Sequence, residues 1–363
     1  MTGRFYTERF SQIDLSDPIF DELKRDYPGS TTSTGFVDWF SKKSAANAEA
    51  TVFKDQSGLG AFVYTKLEEE PLILVDRVLP SAKRMKIGTL KLAESQRGQR
   101  LGEGVLGLIL WKWQLTDQSE IYITAFPKHA QLIQLLERFG FDLMGSNPDG
   151  EVVYLRSRNN IDYSTPYRSF PFINPNFAEA GLLIVNDHYH DTLFPYSELA
   201  NTKQEPLQVA AANGMSKVYI GAPVNVPPYK PGEPVLIYRK YTGSGPKGYK
   251  SCVTSYAIVT NVVAAKLNGK FILTMEEVKS KVGNKSVFEG EEVEKRYHGD
   301  NNLVIVELLY YGYFGPGNNL NWVWLRDAGL WPDAYPTEVR YSRAEFLKVL
   351  EGGGISVKNT LIN

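Results

Sequence analysis

Hydrophobic and polar positions follow two different rhythms along the chain, and the change comes near its middle. In the first half, segments of helical spacing alternate with segments of period-two spacing. Asp17-Pro18 ahead of Ile19–Leu23 predicts a helix start with acids in its first turn, and Phe36–Phe40 continues an amphipathic pattern. Ala50–Lys54 and Leu59–Leu67 flank the turn cluster Asp55–Gly58 and read as a hairpin. Then come a strand over Arg84–Leu92, a helix over Leu101–Leu115, a strand over Ile121–Phe126, a helix over Lys128–Arg138 and a strand over Val152–Leu155. This order predicts an α/β domain over 1–158, with helices packed on a mixed sheet.

The second half is written in short β runs: Gly181–Val185, Lys217–Ile220, Val235–Lys240, Cys252–Val263 and Leu303–Gly312. Turns rich in Pro and Gly, such as Pro227–Gly232 and Thr242–Gly248, separate them and predict a small, mostly-β barrel over 181–363. Ser342 with Glu345 at the capping-box position starts a terminal helix that Gly352–Gly354 ends. Between the halves, 159–180 carries Pro166, Pro171 and Pro175 among aromatics that are costly to leave in water, so it reads as a linker that packs.

Composition then narrows the function classes. A net charge of −1 supplies no overall field for nucleic acid or membrane, so any such contact needs a local patch. The single cysteine, Cys252, excludes an internal disulfide framework and a multi-cysteine zinc site, and favours a reducing, cytoplasmic setting. Met1–Phe10 is mixed polar and aromatic, unlike a signal peptide, and no run has the length of a membrane span. Ser-His-Asp spacing, a phosphate loop ending in Gly-Lys and a His-Glu-x-x-His pattern are all missing, which leaves hydrolase readings without residues to rest on.

Candidate chemistry begins at Leu90-Lys-Leu-Ala-Glu-Ser-Gln-Arg97-Gly98-Gln99-Arg100-Leu101-Gly102-Glu103-Gly104. A small-residue loop entering a helix turns backbone N–H groups outward under the positive end of the helix dipole, and Arg97 and Arg100 add two charges. The alternative is a strand–helix turn with solvated arginines. The stretch resembles the acyl-CoA signature of the GNAT N-acetyltransferase family, Arg/Gln-x-x-Gly-x-Gly/Ala, with Arg97 and Gly102 at its ends. Arg100 replaces the middle glycine, keeps the amide donor and calls for an unstrained φ. Phe126–Phe141 is similar to the family's closing segment: its Gly140-Phe141 end fits, His129 takes the asparagine position and Leu132 the alanine. Leu136 stands where a tyrosine often protonates the departing thiolate.

The resemblance implies acetyl-CoA as cosubstrate, bound through Leu90, Leu92, Arg97, Gly98, Gln99, Arg100, Leu101, Gly102, Glu103 and Gly104, with the Leu92 amide on the thioester carbonyl. Glu94, at the strand end, is a candidate base, weighed against a plain ion pair with Arg97. His129 is a second candidate, because imidazole titrates near neutrality, weighed against a cap or packing role. Tyr154 and Tyr122 are candidate acids on alternating strands whose other reading is core. Lys83, Arg84, Lys86 and Lys91 read as a solvated edge, or as contacts for an acidic acceptor such as RNA or for the phosphates of CoA.

In the second half, Lys230-Pro-Gly232-Glu233 entering Pro234–Arg239, followed by Lys250–Val259, resembles the PUA-like superfamily with its ASCH and EVE relatives. That resemblance implies recognition of RNA or a modified base, and Tyr238, Arg239, Lys240 and Lys250 supply the interleaved aromatic and basic groups for it. The other reading is a strand with one buried and one solvated face. His188 and His190 would share a strand face and could meet a metal or a phosphate, but without a third ligand no metal site is expected. Trp322, Trp324 and Trp331 read as barrel cover, weighed against a base-stacking role. The joint expectation is an acetyl-CoA-dependent N-acetyltransferase acting on an RNA- or nucleotide-linked amine. Its rivals are a non-catalytic nucleic-acid sensor on a degenerate GNAT scaffold and a transferase for protein or small-molecule amines.

Overall fold

The computed structural model describes residues 5–29, 34–56, 58–200, 209–331 and 339–362; the start of the amino-terminal stretch read for targeting, 1–4, lies outside them. The chain forms two compact units, Met1–Asn160 and Ile161–Asn363.

The first unit holds strands β1 (Phe5–Arg9), β2 (Glu49–Asp55), β3 (Gly58–Glu68), β4 (Leu72–Ile73), β5 (Val78–Leu79), β6 (Arg84–Leu92), β7 (Glu120–Ala125), β8 (Asp142–Ser146) and β9 (Val152–Ser157). Its helices are α1 (Asp21–Asp26), α2 (Phe36–Ala45), α3 (Leu101–Gln114) and α4 (Ala130–Arg138). Seven strands form one sheet in the order β1-β2-β3-β6-β7-β9-β8, while β4 and β5 make a separate ribbon. All pairs are antiparallel except β6 with β7, whose connection runs through α3. Phe10, Phe20, Phe36, Phe40 and Phe62 form a buried aromatic cluster on the face that α1 and α2 cover. On the other face Leu101 packs with Phe53, Ala61 and Leu92.

The second unit is a mixed α/β body around one eight-stranded sheet. Its strands are β10 (Glu179–Asn186), β11 (Ser216–Gly221), β12 (Pro234–Lys240), β13 (Cys252–Leu267), β14 (Lys270–Phe271), β15 (Leu303–Tyr313), β16 (Leu320–Asn321) and β17 (Arg340–Ser342). The order is β11-β15-β13-β12-β10-β17, with β14 and β16 added to β13, and β10 runs parallel to β12. Among the described residues no pairing joins β11 to β17, so the order is open at both ends rather than closed as a barrel. The helices are α5 (Pro166–Ser169), α6 (Asp187–Leu193), α7 (Ala210–Asn213), α8 (Lys247–Lys250), α9 (Met275–Val282), α10 (Gly290–Gly299), α11 (Trp322–Asp327), α12 (Arg343–Gly352) and α13 (Val357–Thr360). Ser342 caps α12 through a reciprocal capping box with Glu345. Within 159–180, Phe170, Phe172 and Ile173 are fully buried.

Two sequence readings change here. His188 and His190 lie on α6, not on a strand, so two residues of separation put them on opposite sides instead of one face. Arg84 is no solvated edge cation: it is buried and donates to Glu120 at 2.6 Å and to the Glu70 and Pro80 carbonyls at 2.7 and 2.8 Å. Its alternation partner Lys86 is half-buried over the Tyr122 ring.

Candidate functional site

Two strands part company in the middle of the first sheet. β6 and β7 pair from Arg84/Glu120 to Ile87/Ile123 and no further. Beyond that point β6 stays with β3 as far as Leu92/Ala61, while β7 stays with β9 as far as Ala125/Val152. The divergence has a local cause: Gly88 is the unmatched residue of a bulge opposite Tyr64 and Thr65, and a bulge re-aims the strand that carries it. The Ala93 N–H donates to the Gly60 carbonyl at 2.9 Å. Alternation along the ladder then aims the Lys91 and Thr89 amides at β3, and the Leu90 and Leu92 amides into the gap left by β7.

The strand leads through a short 3-10 turn, Glu94–Gln96, into the Arg97–Gly104 loop. Gly98 has φ +80 with open space around the position of an absent Cβ. The first bond inside α3 is Gly104 N–H to the Arg100 carbonyl, so the Leu101 and Gly102 amides precede the helical ladder at its positive end. A Cβ on Gly102 would lie 3.2 Å from Leu92 Cδ1 and 3.5 Å from Leu135 Cδ2, so glycine lets α3 start close to β6 and α4. The residues thus fit a pyrophosphate at the helix start and a carbonyl at the Leu92 amide.

Arg100 departs from expectation. It adopts φ +59, the left-handed region, at a cost on the order of 1 kcal/mol for a residue with a side chain. Its Nη2 lies 3.1 and 3.3 Å from the two Glu103 oxygens, and both side chains are nearly buried, so the guanidinium is folded back onto the helix. Arg97 is the exposed cation of the loop, 3.2 Å from Glu94. Glu94 itself is exposed, in the ion pair that was weighed against a catalytic role.

The proton donors separate. Leu136 is fully buried in the core. Tyr154 is buried and donates to Glu137 Oε1 at 2.8 Å; burial, then that carboxylate, push its pKa up to about 12. Tyr122 donates to Glu68, and burial raises its pKa further still. His129 precedes α4, half-buried, with no capping bond from its ring. Around it stand residues that the sequence did not single out: Glu22 and Asp26 of α1, each with a carboxylate oxygen within 4.8 Å of the imidazole. Lys91 holds Glu22 and lowers its pKa, while Lys128 holds Asp26 at 2.7 Å. The i, i+4 spacing of the two acids was visible, but their partners lie 69 and 102 residues away.

In the second unit the four predicted nucleic-acid contacts divide by burial. Tyr238 and Arg239 are buried, and Arg239 is committed to Asp191 through two bonds of 2.7 and 2.8 Å. The structure places them in the core, because β12 lies inside the sheet between β13 and β10 and is buried on both faces from Pro234 to Arg239. Lys240 and Lys250 are exposed. Lys250 lies over the Tyr241 ring at 4.5 Å, and α8 adds exposed Lys247 and Tyr249 beside Trp322 of α11, whose ring packs at Gly248. The turn Lys230–Glu233 closes on itself: the Lys230 N–H donates to Glu233 Oε2 at 3.0 Å, and Glu233 also holds Arg340.

A carboxylate–imidazole–hydroxyl chain, which no spacing in the sequence announced, is assembled by folding. His190 Nδ1 is 2.8 Å from Asp191 Oδ1, and its Nε2 is 2.7 Å from Thr254 Oγ1. His190 and Thr254 are wholly buried, so the chain holds the core of the unit together and offers no hydroxyl to solvent.

No family model and no curated protein matches the chain. Among solved structures, the ASCH protein from Zymomonas mobilis is similar at 10% identity and a TM-score of 0.30, covering 47% of this chain and 94% of that one. A putative acetyltransferase of the GNAT family from Desulfovibrio desulfuricans matches at 13% identity and TM-score 0.28, over 42% of this chain and 99% of that one. Naa50 of Arabidopsis thaliana, solved with a bisubstrate analogue of CoA, matches at 16% identity and TM-score 0.28, over 42% of this chain and 98% of that one.

Proposed function

We propose that the first unit is an acetyl-CoA-dependent N-acetyltransferase, and that the second recognises an RNA-linked or nucleotide-linked acceptor amine. The observation that carries the reading is the parting of β6 from β7 after Ile87/Ile123, with β6 running on to a glycine-bearing turn at the start of α3. Acetyl-CoA supplies an activated thioester when bound. The Leu101 and Gly102 amides, with Arg97, would hold its pyrophosphate, and the Leu92 amide would polarise the acyl carbonyl. Isothermal titration with acetyl-CoA tests this: micromolar binding that weakens when Arg97 and Arg100 are both changed to alanine supports it, and no binding removes it.

The acceptor half rests on Lys240, Lys247, Tyr249 and Lys250, exposed on one stretch of the second unit with Tyr241 under Lys250. Cations beside aromatic faces are what a single-stranded nucleic acid needs for phosphate contact and base stacking. A second reading, a binding protein without turnover, is favoured by one observation: Leu136 and Tyr154 leave no free phenol at the closing segment. Thiol release from acetyl-CoA in the presence of amines separates the two, because sustained CoA production excludes the second.

A further inference from the structure

Between β3 and β6 the chain leaves the large sheet, forms the β4–β5 ribbon and returns. The base of this excursion is clamped. Ser81 Oγ donates to the Glu69 carbonyl at 2.9 Å, and buried Arg84 donates to the Glu70 and Pro80 carbonyls at 2.7 and 2.8 Å. Its tip is pinned to β8, the edge strand of the sheet. There the Val75 N–H donates to the Ser146 carbonyl at 2.9 Å, and Arg77 Nη2 donates to the Met144 carbonyl at 2.6 Å. Leu72, Leu74 and Leu79 turn inward and pack with Tyr122 and Val153. The ribbon is thus held at base, tip and inner face.

Covering the end of the β8 edge accounts for the inner face and the pinned tip, and leaves the outer face to be explained. Exposure alternates along both arms: Pro71, Ile73 and Val75 on one, Val78 and Pro80 on the other, all point away from the sheet. Ile73 is 60% exposed, Val75 73% and Val78 59%, and Ile73 stands directly opposite Val78. A ribbon with one wet face carries polar residues there, whereas this one is apolar on both faces. Together the five side chains present on the order of 400 Å² of apolar surface, the size at which a patch marks a contact site. That is about half of the ~800 Å² that each partner of a standard interface buries.

We propose that two copies of this chain stack these outer faces about a two-fold axis, making the ribbon the centre of a homodimer interface. Charge selects a second copy as the occupant. Exposed Glu69 and Glu70 stand at the base of the ribbon, and Arg77 at its tip makes only a 3.5 Å contact with exposed Asp76. A two-fold through the Ile73–Val78 pair runs the two ribbons in opposite senses. It sets the Arg77 of each copy beside the Glu69 and Glu70 of the other, so the patch is self-complementary. Three carboxylates around the apolar centre oppose an anionic lipid surface. The bonds from Val75 and Arg77 occupy that end of β8, so the copies meet face to face and not by strand addition. Because the ribbon is already clamped, stacking orders little that was free, which favours association through a small area.

Sedimentation velocity of the full chain from about 1 to about 100 µM tests this, with a dimer of Kd about 10 µM expected. Val78→Asp should raise Kd more than tenfold and leave the Tm unchanged, since the side chain is exposed. Glu70→Arg and Arg77→Glu should each weaken the dimer about threefold, and their combination should recover most of the loss. Cys252 is the sole cysteine and is buried, so Val78→Cys provides a second reading that does not depend on a buried charge. Under mild oxidation Val78→Cys should form a disulfide-linked dimer, and Val224→Cys, exposed on the second unit, should stay monomeric. A wild type that is monomeric throughout the range overturns the proposal. So does a dimer that persists in Val78→Asp, or a Val78→Cys that crosslinks no faster than Val224→Cys. Monomer that pellets with phosphatidylglycerol vesicles through Val78 overturns it in favour of a membrane contact.

Discussion

Arg239 grips Asp191 with two parallel bonds, Nε to Oδ1 at 2.7 Å and Nη2 to Oδ2 at 2.8 Å, and the same Oδ1 also faces His190 Nδ1. One carboxylate therefore orders a buried guanidinium and a buried imidazole together. Removing the arginine leaves Asp191 partly buried without its counter-charge. Arg239→Ala should destabilise the second unit by about 2–3 kcal/mol, a figure set at the low end because Asp191 keeps some solvent contact. That corresponds to a fall of roughly 4–12 °C in the Tm of this unit. Arg239→Lys should recover only part of it, because an ammonium cannot reproduce the two-point fork. Thermal unfolding of the two variants checks this.

The same network sets an acid limit. Burial lowers the pKa of His190, which is therefore neutral in the folded unit, with Asp191 opposing the shift. Burial alone would raise Asp191, but Arg239 and then His190 outweigh it and hold its pKa at about 2. Both groups bind protons more readily unfolded than folded, so stability rises with pH across their windows. Stability should fall as pH drops below about 6.5 as His190 resists protonation, and again below about 4 as Asp191 is titrated. Denaturant midpoints of the second unit from pH 7 to pH 3 should show this, with a shallower slope between pH 6.5 and 4 in His190→Gln.

The start of α3 makes a separate prediction. Gly102→Val would force carbon atoms into Leu92 and Leu135 and push the helix start away from β6. Acetyl-CoA affinity should fall more than tenfold, about 1.4 kcal/mol or more, with far-UV dichroism unchanged. Arg97→Ala removes an exposed charge and should weaken binding by less, about 1 kcal/mol or roughly fivefold. Equal losses in the two variants would mean that backbone position at Gly102 does not matter.

On the second unit, exposed and buried aromatics should behave differently. Tyr249→Ala should weaken binding of a short oligouridine by about 1–3 kcal/mol if bases stack there. Alanine at Lys240, Lys247 or Lys250 should each flatten the salt dependence of binding by about 0.7 in logarithmic slope. Tyr238→Phe should change nothing, because that ring is buried against Trp331. Fluorescence anisotropy at two salt concentrations measures all five, and unaltered binding across the lysine variants would remove the nucleic-acid reading.

Much of the architecture was legible in advance, for a physical reason. β6 was bounded by period-two alternation at Arg84 and Leu92, α3 by the glycines before it and its apolar run, and α12 by the Ser342–Glu345 capping box. These signals are local, and each needs only a few neighbouring residues. The weak places were edges and short pieces: β1, β4, β5 and β8 carry too few residues to show a period. His188 and His190 misled for a related reason, since seven residues of helix after a strand look like more strand.

Residue order settles where strands and helices begin, where glycine must stand at the start of α3, and which loop can offer backbone amides, because backbone sterics and hydrogen bonding act over a few residues. Whether a charged or aromatic side chain ends in water, core or site depends on partners far along the chain. Arg239 looked like a nucleic-acid contact until Asp191, 48 residues away, claimed it. His129 was an isolated histidine until folding brought up Glu22 and Asp26 from more than a hundred residues earlier. Electrostatic and packing energies depend on distance in space, so these assignments belong to the folded molecule.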